Sequence, residues 1–363
     1  MNEIYKLLRI VGGRRKVPES ELKRLLGIKE VDVMKVEWGN TMGIHLEVVE
    51  LLAKKNLKKL LLLEKKKRGV GEDELVFVGM ANVSSYYWCA AKSLLISKAE
   101  ELKFFHAYLY DRILYSKELG LIDKIPSGDG ELLEVGSNIS FEDIERLLQR
   151  RKVEKSDVEA FEVTKFQDVR GNRILVVEDL TVLTPEVLQG VKKIAIPDYI
   201  KVEEVVKVLK SLEKGRVPEV EIVSLDEYPV YRGEVLQRRR AEKYPTIRWN
   251  FEWEDYVVVG VPDGITDSFV YEFKTTRSPF LLNYVKPVAF TQADLYGYFF
   301  RRGMKRVQIY VTETEETITW VEKVDEGNAE ETLRKFKEVN AGVKPPRPKE
   351  WKCRACVFRE KCL

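Results

Sequence analysis

The chain has 363 residues, of which 44% are hydrophobic and 33% charged, and its 62 basic and 59 acidic residues leave a net charge of +3. That apolar share supports a sizeable core and excludes a disordered chain, while the near-zero balance excludes recognition of nucleic acid by global charge, so any such contact has to come from local patches. The opening residues carry no signal-peptide pattern and the longest apolar runs, such as Leu60 to Leu63, are far below membrane-span length, so a cytoplasmic protein with no membrane span is expected.

In chain order, the first 80 residues read as a mixed helix and strand extension. A helix is expected from Pro18 to Leu26, stopped by Gly27, then a strand from Val31 to Trp38 and a long helix from Met42 to about Lys67 that ends in a basic run. A short strand is expected from Glu74 to Met80, followed by one or two helices from a Ser84 N-cap to about Tyr115. These helices carry Cys89 and His106. His106 lies in LKFFHAYL, where the plain reading is a core or interfacial histidine; the other histidine, His45, lies in GNTMGIH.

Residues 116 to 239 change character and read as an α/β insert or subdomain. Ser140 to Asp143 forms a capping box for a helix reaching about Arg151. Strands are expected at Arg173 to Val177, Lys193 to Ile196 and Val220 to Leu225. Between them lie a helix with Thr184 as N-cap and Pro185 at its first position, and a helix from Lys201 to Glu213 closed by Gly215. The insert carries no phosphate loop, dinucleotide fingerprint or internal repeat. QRRRAEK, at Gln237 to Lys243, then reads as a solvated basic loop or a phosphate-contacting surface ahead of the alternating strand Trp249, Phe251, Trp253.

The stretch VVVGVPDGITDSFVYEFK, Val257 to Lys274, reads as two strands joined by a turn in a hairpin. Glu272 and Lys274 fall on one strand face with Phe273 opposite, and the turn returns Asp263 toward the same end. Two carboxylates can hold a hard divalent cation, and a lysine beside them can steer a metal-bound water or offset charge developing on a phosphate. A solvated charge pair beside an ordinary Pro-Asp-Gly turn is the plain alternative. Gln292 and Tyr296 share a face of an expected helix over Phe290 to Arg302. Lys305 to Thr312 pairs with Glu316 to Val321, and a helix follows from Glu330 to Val339. The proline-rich VKPPRPKEW leads into WKCRACVFREKCL, with Cys353, Cys356 and Cys362 in a C-x2-C-x5-C pattern. Clustered thiols favour a metal over disulfides in a reducing compartment, and Cys89 is the one cysteine left to complete the set. Buried free thiols are the alternative.

Taken in order, Cys89, His106, Asp263, Glu272-Phe273-Lys274, Gln292 with Tyr296, and the C-terminal cysteine trio resemble the RecB-like exonucleases of the PD-(D/E)xK superfamily that carry an iron-sulfur cluster. The likeness is to the CRISPR-associated Cas-four type and its relatives, including the nuclease domain of the AddB helicase subunit. It covers residues 81 to 115 and 240 to 363, leaving the extension and the insert uncovered. The resemblance implies an α/β fold with a restriction-endonuclease-like core, a central mixed sheet flanked by helices. It implies a metal-dependent deoxyribonuclease, most often a single-stranded DNA exonuclease of CRISPR adaptation, recombination or repair, whose partners are DNA and the proteins of those pathways. It further implies a four-iron four-sulfur cluster on Cys89, Cys353, Cys356 and Cys362, and manganese or magnesium on His106, Asp263, Glu272 and the Phe273 carbonyl. Lys274, Gln292 and Tyr296 are then catalytic. Here LKFFHAYL departs from the family, whose histidine often sits in a glycine-containing helix motif. Two other readings stand beside this one: a catalytically weak DNA-binding or adaptor protein, and structural zinc on the same four thiols.

Overall fold

The computed structural model describes residues 68–120, 139–151, 172–212, 220–354 and 356–362, scattered positions between 57 and 66, and the backbone of strands at 17–18, 122–127, 130–135 and 164–169. The fold is mixed α/β. In chain order the strands are β1 (Val17–Pro18), β2 (Phe77–Gly79), β3 (Ile122–Ser127), β4 (Gly130–Val135), β5 (Thr164–Val169), β6 (Asn172–Val177), β7 (Lys193–Ile196), β8 (Glu221–Ser224), β9 (Trp249–Trp253), β10 (Tyr256–Gly260), β11 (Gly264–Ile265), β12 (Phe269–Thr276), β13 (Met304–Val311) and β14 (Glu316–Lys323). The helices are α1 (Met80–Ser84), α2 (Ala90–Glu118), α3 (Phe141–Arg150), α4 (Pro185–Leu188), α5 (Val202–Leu212), α6 (Pro229–Arg240), α7 (Pro279–Phe300), α8 (Glu326–Asn340), α9 (Glu350–Arg354) and α10 (Arg359–Cys362).

Four sheets form, with orders β1-β4-β3, β2-β10-β9, β11-β12-β13-β14 and β5-β6-β7-β8. In the third sheet β12 runs parallel to β13 while β11 and β14 are antiparallel to their neighbours. Parallel neighbours need a crossover, and α7 supplies it. Its second half is almost wholly buried, from Ala289 to Phe300. It packs into a core with Val258, Ile265, Val270, Val307, Ile309, Leu333 and Phe336, which joins the second and third sheets and α8.

The insert sheet is built on the same logic with a different lining. β6, β7 and β8 are parallel to one another, with β5 antiparallel at the edge. Leu175, Val177, Ile194, Ile196, Val205 and Leu209 fill one side and Ile174, Val176, Ala195, Val223 and Leu225 the other. Continuous β-branched runs of this kind are what a parallel strand covered on both faces requires. The expected capping box is present: Ser140 accepts from the Asp143 amide while Asp143 accepts from the Ser140 amide. Thr184 likewise accepts from the Val187 amide at 3.4 Å to open α4.

Several elements differ from the sequence reading. Pro18 pairs with Leu132 in a strand and does not start a helix, because a proline is tolerated in an edge strand. The remainder of the expected 18–26 helix, the 31–38 strand, His45 and Gly215 lie outside the described residues. Of the expected 42–67 helix, positions 57–58, 61–62 and 64–66 are helical. Ser84 is no N-cap: it is the last residue of α1, a 3-10 turn at Ser85–Tyr87 follows, and α2 begins at Ala90. QRRRAEK is not a loop, since Gln237 to Arg240 is the last turn of α6. Val257–Val261 and Phe269–Phe273 are not partners in a hairpin. β10 pairs with β2 and β9, whereas β12 pairs with β11 and β13, because Pro262 breaks the strand and sends the chain from one sheet to the next. Among the described residues no helix is long and apolar enough to cross a membrane.

Candidate active site

The short β11–β12 ladder does what the expected hairpin was meant to do. Gly264 pairs with Tyr271 and Ile265 with Val270, so the same register carried one step further puts Asp263 across from Glu272. The turn is held from outside by three contacts. Thr246 donates to the Pro262 carbonyl at 2.5 Å, the Ile265 amide donates to Pro245 at 2.8 Å, and Tyr244 lies where a side chain at Gly264 would stand, 2.5 Å from its ideal Cβ. Only glycine lets Tyr244 come that close.

Asp263 is fixed at both oxygens. Its Oδ2 accepts from the Phe273 amide at 2.7 Å and its Oδ1 accepts from the Gln237 side chain on α6. Glu272 sits one residue away on the opposite strand face, 1% exposed, and Lys274 Nζ lies 2.5 Å from its Oε1. Lys274 is thus the partner of Glu272 Oε1 in a short, charge-assisted contact. The other Glu272 oxygen accepts from Gln292 Nε2 at 3.2 Å. Gln292 also donates to the Tyr296 hydroxyl at 2.8 Å, and that hydroxyl donates to the Val261 carbonyl at 3.0 Å, two residues before Asp263. The helical i, i+4 pair therefore links the carboxylate on β12 to the loop bearing the second carboxylate.

The electrostatics follow from this crowding. Burial, with the negative charge of Asp263 adding to it, pushes the Glu272 carboxyl up to about 8 against the opposing pull of Lys274. Burial also raises Asp263, opposed chiefly by Lys274. Burial alone would lower Lys274, but Glu272 and Asp263 outweigh it and hold the ammonium above its ordinary range. The site thus holds two reluctant carboxylates around one firmly charged lysine. Two buried carboxylates brought this close can share a hard cation, which would offset their mutual repulsion.

Asp263, Glu272, Lys274, Gln292, Tyr296 and the Phe273 amide come together; His106 is not among their contacts. It lies on α2, where its charge bears on Asp111, which pairs through both oxygens with Arg248 at 2.7 Å. Among the described residues no three His, Cys, Asp or Glu side chains form a metal-holding group. Two contacts were not legible from the motifs. Gln237 was hidden in a run read as a basic loop, and the cue missed was helical continuity from Pro229. Ser84, read as a cap, donates to Gln292 Oε1 at 3.4 Å.

The C-terminal tail returns to the start of the core. Trp351 meets Trp88 edge to face with ring centres 5.7 Å apart, and Lys352 donates to the Trp88 carbonyl at 2.9 Å. Cys89 follows Trp88 directly. The Cys362 thiol is pushed up by burial and then by Cys356, Cys89 and Cys353, so those three lie within electrostatic reach of Cys362.

No protein-family model matches the chain, and no curated protein matches it. A solved structure of a protein called SSO0001 is similar over 38% of this chain and 67% of its own, at 20% identity and a TM-score of 0.27, a likeness too slight to carry an argument.

Proposed function

We propose that the chain is a metal-dependent deoxyribonuclease with a PD-(D/E)xK core, acting in the cytoplasm on single-stranded DNA from its ends, in CRISPR adaptation, recombination or repair. The observation that carries this reading is the meeting of Asp263, Glu272 and Lys274, with Glu272 buried and its carboxyl pushed up to about 8. Such a group is costly to maintain, and sites that keep one are enriched for chemistry.

The donor set suits a hard cation. Asp263 and Glu272 would hold manganese or magnesium, which when bound polarises a phosphodiester and acidifies water. His106 on α2 is the further candidate ligand that the resemblance supplies. Lys274, anchored by both carboxylates, orients the attacking water or offsets charge on the phosphate. Gln292 and Tyr296 are positioning residues: they face Glu272 and the Val261 carbonyl and hold the two carboxylate-bearing segments in register. Cys89, Cys353, Cys356 and Cys362 would hold a four-iron four-sulfur cluster, closing the tail onto the core and adding folding free energy. Protein purified without oxygen is then brown; a colourless protein containing zinc would replace the cluster with a structural zinc site.

The reading is tested by incubating end-labelled single-stranded and duplex DNA with manganese, magnesium or EDTA. Metal-dependent shortening of the single strand that Lys274→Ala abolishes, with strand binding kept, is the expected result. Undiminished cleavage by that variant removes Lys274 and the site with it.

A further inference from the structure

The carboxyl ends of the insert's parallel strands open onto a cleft of about 730 Å³ whose opposite wall belongs to the sheet carrying Glu272. Pro197 to Tyr199 follow β7, Ser224 and Leu225 end β8, and Arg277, Tyr310 and Thr312 come from the ends of β12 and β13. In open parallel sheets the carboxyl-end crevice is where ligands bind, because successive loops diverge there and leave room for one.

The floor is the last turn of α6, and each residue in it has a separate partner. Gln237 donates to Asp263, and Arg238 pairs with Glu178 of the insert. Arg239 lies over the Tyr199 ring at 3.6 Å, and Arg240 over the Tyr310 ring at 5.2 Å. Among the described residues neither Arg239 nor Arg240 is paired with a carboxylate, and both are exposed. A guanidinium held over a ring, and not by a carboxylate, keeps N–H groups free for an acceptor such as phosphate. Arg277 follows the last residue of β12 and stands three residues beyond Lys274, about 10 Å along the extended chain. Its one ion pair, to Glu313 at 4.0 Å, joins two exposed side chains and is easily exchanged. Asp198, Glu313 and Glu315 also line the cleft, beside Tyr199 and Arg277, and the lining arginines Arg232, Arg239, Arg240 and Arg277 outnumber them.

We propose that this cleft binds the phosphodiester backbone of a nucleic-acid strand and leads it to the carboxylate site, with Arg239, Arg240 and Arg277 on phosphates and the exposed Tyr199 ring against a base. This gives the insert a role as one jaw of a strand channel. It rests on the nuclease reading only for its direction, since strand binding needs no catalysis.

The test is the triple variant Arg239→Ala/Arg240→Ala/Arg277→Ala, titrated against a fluorescent 20-nucleotide oligo-dT in EDTA at several salt concentrations. Hydrolysis of bis(p-nitrophenyl) phosphate with manganese is measured alongside, because that small diester reads the carboxylate site without the cleft. At least a tenfold loss of affinity is expected, with the salt slope falling by about 2, three phosphate contacts at roughly 0.7 each. Small-diester hydrolysis stays at the wild-type rate. Unchanged affinity and slope overturn the proposal, as does tight binding of free dTMP at the cleft that leaves oligonucleotide binding untouched. A wild-type protein that binds the strand through these arginines but hydrolyses nothing would sink the nuclease reading and leave the channel standing.

Discussion

The sheet carrying Glu272 and the insert sheet are both four-stranded and mixed, yet their interiors obey opposite rules. β6, β7 and β8 bury Ile174, Leu175, Ile194, Ala195 and Val223, while Lys193 and Glu221 on these strands are not buried. β12 and β13 bury Val270, Tyr271, Val307 and Ile309 but also Glu272, Lys305 and Gln308. Lys305 is answered by Asp294 at 2.6 Å, and Gln308 by Tyr271 and Glu242 at 2.6 and 2.7 Å. Glu272 is answered by Lys274 at 2.5 Å and Gln292 at 3.2 Å, yet burial and Asp263 still push its carboxyl up to about 8. The insert sheet keeps its interior apolar, and the sheet carrying Glu272 gives part of that up at Glu272. That point coincides with the meeting of Asp263 and Lys274.

Changes in the two sheets should therefore separate activity from stability. The largest effect expected is on turnover: Asp263→Ala or Lys274→Ala should lower metal-dependent cleavage at least a thousandfold, read from the rate of product formation. Thermal unfolding should move little by comparison. Ile194→Ala in the insert sheet should do the reverse, costing about 2–5 kcal/mol in urea unfolding through loss of apolar contact and an unfilled cavity, with small-diester hydrolysis kept. An Ile194→Ala protein that unfolds like wild type would erase the contrast between the sheets.

The pH dependence sharpens the contrast further. Between about 4.5 and 8 the folded protein holds a proton on Glu272 that the unfolded chain releases. This contribution is fully present below the unfolded value and is lost as pH rises through 8, so the melting temperature should fall from pH 6 to pH 9. Glu272→Gln should flatten that slope, and an equal slope in the variant would assign it elsewhere. Manganese binding needs the ionised carboxyl, so wild-type affinity should climb over the same interval. The smallest effect expected is at the insert's edge, where Ser140→Ala should cost about 1 kcal/mol by removing one half of the capping box.

How much of this the sequence carried depends on the range of the interactions involved. Alternation along one strand placed Glu272 beside Lys274, and four-residue spacing placed Gln292 beside Tyr296, because both rest on local periodicity. Capping chemistry at Ser140 and Thr184 was legible for the same reason. The sheet change at Pro262 was not, since strand partners are chosen by contacts more than 30 residues apart, such as Tyr271 with Gln308. Gln237 on Asp263 and Ser84 on Gln292 are likewise long-range, the second spanning 208 residues. His106 was singled out by motif order alone, its place after Cys89, and no local periodicity ties it to the carboxylates.

The most direct test of the central claim is the degradation of end-labelled single-stranded DNA by the full chain in manganese, with Asp263→Ala and EDTA as paired controls. The account predicts a ladder shortening from one end that both controls abolish. Cleavage that survives in Asp263→Ala, or no cleavage by the wild-type protein in any metal while it still binds the strand, would contradict it.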